Sequence, residues 1–446
     1  MALNIFDIKT AAIIGASPYK GKVGYEIAYN FVKGNFPGKV FFVNPNELEV
    51  LGVKCNKSLK EVELELDLAV IAVKAEKVPQ VLKDCVDKKV KTVVVISAGF
   101  SETGKEGNKL EDKCKAIIKG SKTRVIGPNC IGIYDSYTGV DTLFVSKERS
   151  ARPKKGGISF IAQSGAFGVT MLDWLVNENI GISRFISYGN GVDINETELL
   201  ETLQEDKNTK VIVAYFEGFK DGKKFIEIAK KSKKPIIVLK AGKSAKGAEA
   251  VMSHTGSLAG EAEIYSGAFK QAKIIEAKDW YELFDIAKAF EKQQKPKGKK
   301  LCIITNGGGF GVLATDEAEE LGFEIIEPSK KLVDVLKKEF PNYAIIKNPI
   351  DLTGDANPAR YRLAVSEAVK EFDAVLVILL LQTPTINESI LSVMSDLAKE
   401  SKKPLFCCST GSSYARGLIK QIEDIGIPVY ETSKRALSAL AAMIRF

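Results

Sequence analysis

The sequence predicts an α/β protein built from three parallel-sheet units, and three observations carry that expectation. Short β-branched runs recur between helix-length amphipathic stretches along the whole chain. Most of these runs end in glycine, serine or asparagine, as strands do when they turn into crossover helices. The layout of residues 151–293 is repeated in 300–446. At 446 residues the chain is too long for one ordinary core and long enough for about three domains.

The first unit, 1–150, contains five such runs: AAIIGAS, KVFFVNPN, LDLAVIAV, KTVVVISAG and TRVIGPN. Apolar runs of this length with helical segments between them give a Rossmann-like doubly wound sheet. The second unit, 151–293, contains GISFIAQSG, RFISYGN, KVIVAYFEG and PIIVLKAG; the third, 300–446, contains LCIITNGGG, DAVLVILLL and PLFCCSTG. Two polar stretches mark the divisions, ERSARPKKGG at 148–157 and EKQQKPKGKK at 291–300.

Units two and three share a plan. AQSGAFG (162–168) and TNGGGFG (305–311) each follow a first strand and open a helix, while GNGVDI (189–194) and NPIDLTG (348–354) follow the next strand region. The third and fourth strands then come in the same order. This reads as an internal duplication of a flavodoxin-like unit, stretched between its first and second strands in the C-terminal copy. Differences between the copies point to chemistry: Glu217 stands after the third strand of the first copy where the second has Gln382, and only the first copy carries a histidine.

Composition excludes several classes. Hydrophobic content of 45% with 27% charged residues is that of a globular protein. Asp7 and Lys9 interrupt any secretory core in MALNIFDIKTAAIIGAS, and no apolar run reaches a membrane span, so a cytoplasmic protein with no membrane association is expected. Seven cysteines without a CxxC pair indicate neither a disulfide framework nor a zinc site, and no metal is expected on this chain. The 64 Lys and Arg, nearly all lysine, exceed the 56 acids but lie scattered without aromatic interleaving, which reads as a solvated surface and not as a nucleic-acid footprint. The excess favours anionic small molecules.

Three glycine-bearing turns are candidate anion sites. In AAIIGASPYKGKVGYE, Gly15, Ser17, Gly21 and Gly24 bracket a strand-to-helix turn, where backbone N–H groups can approach a phosphate and Lys22 can add a point charge. The turn lacks GxGxxG, and the second strand ends in Val43-Asn44-Pro45 without the acid that holds an NAD ribose, so a nucleotide other than NAD is favoured over a purely structural tight turn. Gln163-Ser164-Gly165 presents a hydroxyl and free N–H groups at a helix start, which an ordinary N-cap also does. Asn306-Gly307-Gly308-Gly309 repeats the device with more glycine than a cap requires, and two such starts could share one phosphate.

His254, in VMSHTGSLAG, is the only histidine of the chain, and its neighbours Ser253, Thr255, Gly256, Ala259 and Gly260 are too small to pack it in a core. A neutral imidazole attacks phosphorus and passes the phosphoryl group on reversibly. A carboxylate on one ring nitrogen would fix the tautomer, and Glu217, at the carboxyl end of a parallel strand, is the candidate. With Gly242 and Gly247 before it, the segment reads as a glycine-rich loop built to move.

SHTGSLAG after KAGKSAKG, together with GASPYKGKVG, IGPNC (126–130), AQSGAFG, NGGGFG and NPIDLTG, resembles the α subunits of ADP-forming (NDP-forming) acyl-CoA synthetases, relatives of succinyl-CoA synthetase, over the whole chain. The resemblance implies a CoA-binding domain followed by two CoA-ligase domains. It implies a partner as well, an ATP-grasp β subunit in an α2β2 heterotetramer that carries ADP or ATP with Mg²⁺. The implied reaction converts acyl-CoA, ADP and phosphate reversibly into a carboxylic acid, ATP and CoA through an acyl phosphate and a phosphohistidine, with acetate the expected acid. His254 and Glu217 would be catalytic; Ser164, Gly165 and Asn306 to Gly309 would hold phosphate. Coenzyme A would lie along Gly15, Ala16, Ser17, Lys22, Val23 and Gly24, then Asn44 and Pro45, Val73 and Lys74, Ser97, Ala98 and Gly99, and Asn129 and Cys130. Cys130 reads as a small residue lining the thioester end and not as a nucleophile, since no second histidine exists to activate it.

Two rivals stand beside this reading. A non-catalytic CoA-binding regulatory protein leaves the SHTG segment unexplained, and an NAD-dependent oxidoreductase lacks its ribose-binding acid.

Overall fold

Buried β-branched runs need cover on both faces, and the chain supplies it by alternating them with amphipathic helices. The computed structural model describes residues 5–255 and 262–446, with backbone alone for 252–255. The chain divides into two compact units, Met1–Ala277 and Lys278–Phe446.

The first unit holds two sheets. Strands β1 (Thr10–Ile14), β2 (Lys39–Val43), β3 (Glu49–Val50), β4 (Val53–Asn56), β5 (Leu68–Ile71), β6 (Thr92–Val95) and β7 (Arg124–Ile126) form a sheet in the order β3-β4-β2-β1-β5-β6-β7. Only the β3/β4 pair is antiparallel. The order reverses between β1 and β5, so the crevice of this doubly wound sheet opens at their carboxyl ends.

Strands β8 (Gly132–Asp135), β9 (Lys155–Ala162), β10 (Ile182–Ser187), β11 (Val211–Phe216), β12 (Ile236–Lys240) and β13 (Ile275–Glu276) form the second sheet, in the order β13-β12-β11-β9-β10-β8. The five parallel members run 2-1-3-4-5, the flavodoxin-like order, and β8 adds an antiparallel edge on β10. The chain thus joins the second sheet before residue 150. The stretch 148–157 is anchored: the Arg152 guanidinium is buried against Asp141 at 3.0 Å and donates to the Val145 carbonyl. One apolar cluster runs from Ile13 and Val70 of the first sheet through Ile126 and Ile133 to Ile161 and Ile212 of the second.

The second unit carries β14 (Leu301–Thr305), β15 (Ile345–Ile346), β16 (Ile350–Asp351), β17 (Ala374–Ile378), β18 (Leu405–Cys408) and β19 (Val429–Tyr430), in the order β15-β16-β14-β17-β18-β19. Its parallel members again run 2-1-3-4-5, and an extra helix, Lys330–Glu339, separates its first and second strands. The duplication and its stretch therefore match the sequence layout. One detail differs: NPIDLTG contains the second strand, β16, and does not follow it. The helix Trp280–Lys292, just ahead of the polar stretch 291–300, packs along the helix Ser433–Arg445 inside the second unit.

Candidate active site

The carboxyl end of β1 turns so sharply that only glycine fits. Gly15 has φ +95°, and a Cβ there would lie 2.3 Å from the Ala72 carbonyl oxygen; one on Gly24 would lie 1.9 Å from that of Gly15. These contacts seat the start of the helix Val23–Lys33 on the strand end, with Lys22 exposed at its N-cap. Ala16 is held from the side: its carbonyl accepts the Asn44 amide at 2.7 Å, and the Ser17 hydroxyl accepts the Tyr19 N–H at 3.3 Å. Gly15 through Gly24 and Val73-Lys74 thus stand at the reversal between β1 and β5, and Asn44-Pro45 at the end of β2.

Farther along the same edge, the Ser97 hydroxyl donates to the Val73 carbonyl, and the Asn129 N–H donates to the Ser97 carbonyl at 2.9 Å. Gly99, at φ +108°, donates its N–H to Glu102 at 2.6 Å. Asn129 takes a left-handed φ of +57°. Its loop is locked onto the second sheet: Asn190 donates its N–H to the Pro128 carbonyl at 3.0 Å, and the Gly127 carbonyl accepts the Val192 N–H at 3.0 Å. A Cβ on Gly189 would lie 2.3 Å from the carbonyl oxygens of Pro128 and Asn129, which explains the glycine of GNGVDI.

Where these strand ends meet the second sheet lies a cavity of about 650 Å³. Ala98, Asn129 and Cys130 line it from the first sheet, and Ser164, Gly165 and Glu217 from the second. Its remaining wall is partly apolar, with Ile131, Phe144, Val145 and Val169. Of the residues expected to hold CoA, those of the first turn, Asn44-Pro45 and Val73-Lys74 lie along the crevice outside this cavity.

Ser164 caps the helix Gly165–Asn177, accepting the Phe167 N–H at 3.4 Å, so the positive end of that helix opens on the cavity. Glu217 is 6% exposed and follows β11. Gln163 accepts the N–H groups of Glu217 and Gly218 at 2.8 and 3.1 Å, and the Tyr215 hydroxyl lies 3.5 Å from the Glu217 carboxylate. Burial and that carboxylate push the Tyr215 phenol up to about 12, so it stays a donor. The buried Lys240 ammonium donates to the Glu217 carbonyl at 2.9 Å and lies 4.6 Å from the Tyr265 ring centre. Burial holds its pKa below the ordinary lysine value.

Cys130 is buried, with its sulfur 3.3 Å from the Val95 carbonyl oxygen, and desolvation pushes its thiol up to about 12. A neutral thiol in that setting is no nucleophile.

The segment bearing His254 differs from the loop expected of it. Residues Ala245–Thr255 form a helix that starts with the Ser244 hydroxyl accepting the Gly247 N–H at 3.0 Å, and His254 lies within it. Small alanine and glycine residues suit a helix start with a serine cap as well as they suit a loop, and the cap decides. The His254 side chain and residues Gly256 to Gly260 lie outside the described residues. The helix packs against the turn Ser101–Thr103, whose Ser101 and Glu102 line the cavity.

In the second unit the Asn306 turn repeats the Gln163 geometry. Asn306 is buried, accepts the Leu380 N–H at 2.9 Å and donates to Thr383 at 3.2 Å. By this bond the counterpart of Glu217 is Leu380, not Gln382, which donates to the Thr410 carbonyl at 2.6 Å. The second copy thus has an apolar side chain where the first has its carboxylate. Gly307 is the N-cap of the helix Gly308–Glu320, and its N–H donates to the Thr305 hydroxyl at 2.9 Å. A Cβ on Gly308 would lie 2.7 Å from the Asp351 carboxylate.

Sequence reasoning left Asn190 and Glu102 unassigned. Asn190 donates to Glu102 at 2.7 Å and to Glu111 at 3.1 Å. Burial works against the Glu102 carboxylate, but the Asn190 amide and the N–H groups of Gly99 and Phe100 outweigh it and hold its pKa below the ordinary value. GNGVDI marked the loop, whereas nothing local to Glu102 pointed to its partner.

A doubly wound sheet sharing a cavity with a 2-1-3-4-5 sheet, followed by a second copy of the latter, defines a CoA-ligase architecture. Residues 9–136 match the CoA binding domain, 155–290 the succinyl-CoA ligase like flavodoxin domain, and 301–435 the ligase-CoA domain. The chain belongs to the family of ADP-forming acetate–CoA ligases. It is 39% identical to acetate–CoA ligase [ADP-forming] I subunit alpha of Pyrococcus furiosus, with 99% of this chain and 97% of that one covered. It is 41% identical to acetate–CoA ligase [ADP-forming] of Methanocaldococcus jannaschii, of which it spans 62%. A solved structure of a dinucleotide forming acetyl-coenzyme A synthetase of Ca. Korarchaeum cryptofilum, in complex with phosphate and ADP, matches with a TM-score of 0.90 and 36% identity over 98% of this chain and 95% of that one.

Proposed function

We propose that this chain is the α subunit of an ADP-forming acyl-CoA synthetase, with acetyl-CoA the expected substrate. The supporting observation is the shared cavity, which sets strand ends of the first sheet against a helix N-terminus and a buried carboxylate. Coenzyme A runs along the crevice from Gly15–Gly24 past Val73-Lys74 to Ala98 and Asn129, bringing its thioester into the cavity. Phosphate bound at the Ser164-Gly165 helix start attacks the acyl carbonyl; the carbon–sulfur bond breaks and CoA leaves as the thiol. The helix N-terminus offsets the charge gathered there.

His254 then attacks the phosphorus of the acyl phosphate. The nitrogen–phosphorus bond forms, the bond to the acyl oxygen breaks, and the carboxylate departs. Glu217 steadies the phosphohistidine, and an ADP oxygen takes the phosphoryl group from it. The nucleotide and its Mg²⁺ belong to an ATP-grasp β subunit in an α2β2 assembly, in a cytoplasmic setting. The single-chain relative's additional length is consistent with such a second component. We assign 1–150 to CoA, 151–293 to the phosphohistidine, and 300–446 to a second CoA-ligase domain whose Asn306–Gly309 turn is a candidate phosphate-binding helix start.

The test is phosphate-dependent release of CoA thiol from a panel of acyl-CoAs by the reconstituted pair. Release that requires both ADP and phosphate, greatest with acetyl-CoA, is expected. CoA binding without any release would instead favour a regulatory CoA-binding protein.

A further inference from the structure

Gln163 joins the two halves of the cavity. β9 ends at Ala162, and the chain enters the helix Gly165–Asn177 through Gln163 and Ser164. The Gln163 N–H donates to the Tyr215 carbonyl at 3.1 Å, tying the turn to β11. Its side-chain oxygen accepts the N–H groups of both Glu217 and Gly218, at 2.8 and 3.1 Å. Two donors converging on one amide atom require that atom to be the oxygen, since an NH₂ in its place would face two further donors.

The second copy separates what belongs to the fold from what belongs to the chemistry. Asn306, at the matching place, accepts the N–H of Leu380 at 2.9 Å, so an amide clamp on the residue after the third strand is common to both copies. Only in the first copy does the clamped residue carry a carboxylate that lines a cavity.

Resting on the proposed function, we propose that Gln163 is a positioning residue. By holding the backbone at 217 and 218 it sets the direction in which the Glu217 carboxylate enters the cavity, and it ties that direction to the helix start that carries Ser164 and Gly165. The Lys240 ammonium holds the Glu217 carbonyl from the other side, so loss of the clamp frees the N–H groups without detaching the segment.

The test uses the full chain reconstituted with its ATP-grasp partner and labelled ATP. Gln163→Leu removes the acceptor. The expected result is phosphoenzyme formation slowed by roughly 10- to 100-fold, with KM for CoA unchanged, as a small misplacement of a catalytic group produces. Gln163→Glu keeps an acceptor for both N–H groups but sets a second negative charge beside Glu217, so the acid limb of the pH profile moves to higher pH. Above that limb Gln163→Glu, which keeps the clamp, is expected to form phosphoenzyme faster than Gln163→Leu. Should Gln163→Leu fail to fold, Gln163→Asn, whose amide is one methylene shorter and falls short of the 217–218 backbone, takes its place with the same expectation. Wild-type rates in the clamp-breaking variant, or no recovery in Gln163→Glu above the limb, overturn the inference. A wild-type pair that takes up no label overturns the proposed function itself and the Gln163 role with it.

Discussion

Glu217 and Leu380 occupy equivalent places, and the difference between them is a single carboxylate buried beside a helix N-terminus. Glu217→Gln keeps the shape and removes the charge. It is expected to bind CoA normally and to form phosphoenzyme roughly 100-fold more slowly, as stopped-flow quench measurements would read, in keeping with the effect of removing one electrostatic stabiliser. The Cys130 thiol, pushed up to about 12 by burial, is expected to alkylate in the folded protein at pH 8 about 1,000-fold more slowly than an exposed thiol, and mass mapping after iodoacetamide treatment reads this. The Asn190 amide has a pH signature. Glu102 has a folded pKa below its unfolded one, so its stabilisation is present above the ordinary carboxylate range near about 4.3 and is lost as pH falls through the folded value. Asn190→Ala is therefore expected to cost about 1–2 kcal/mol at pH 7 and less towards pH 4, measured by urea unfolding at each pH.

At the scale of elements, the parallel strands were legible because both of their faces are buried. LAVI of β5 and TVVV of β6 are wholly buried, and nothing but a buried strand or a helix core reads that way at such length. The edges were not legible: β3, β13 and β15 have two residues each, too few for any period to show. β8 was hidden because an edge pairing depends on β10, about fifty residues away in sequence. The correspondence of Glu217 with Gln382 failed for a related reason, since a long-range hydrogen bond to Asn306, and not distance from the strand, sets the register. The glycine turn after β1 was legible, and it carries a prediction of its own. Gly24→Ala places a methyl 1.9 Å from the Gly15 carbonyl, so the helix must lift off the strand end. A loss of about 1–3 kcal/mol and weakened CoA binding are expected, by calorimetric unfolding and titration. Unchanged affinity would show that the turn does not touch CoA.

At the scale of the molecule, one sheet plan is used twice and made to differ. Strand order 2-1-3-4-5, a helix start after the first strand and an amide clamp recur in both copies. The histidine and the carboxylate occur in the first copy alone. Repetition of the scaffold was legible from the order of motifs, as was the presence of the histidine in one copy alone. The helical setting of His254 was not, because a serine cap and a run of small residues read equally well as a loop. The measurement that bears most directly on this division is the site of phosphorylation in the reconstituted α and β pair given ATP and Mg²⁺. An acid-labile, base-stable phosphoryl group on His254, absent in His254→Ala, is the predicted result. Label retained by that variant, or found on any other residue of the chain, would contradict it.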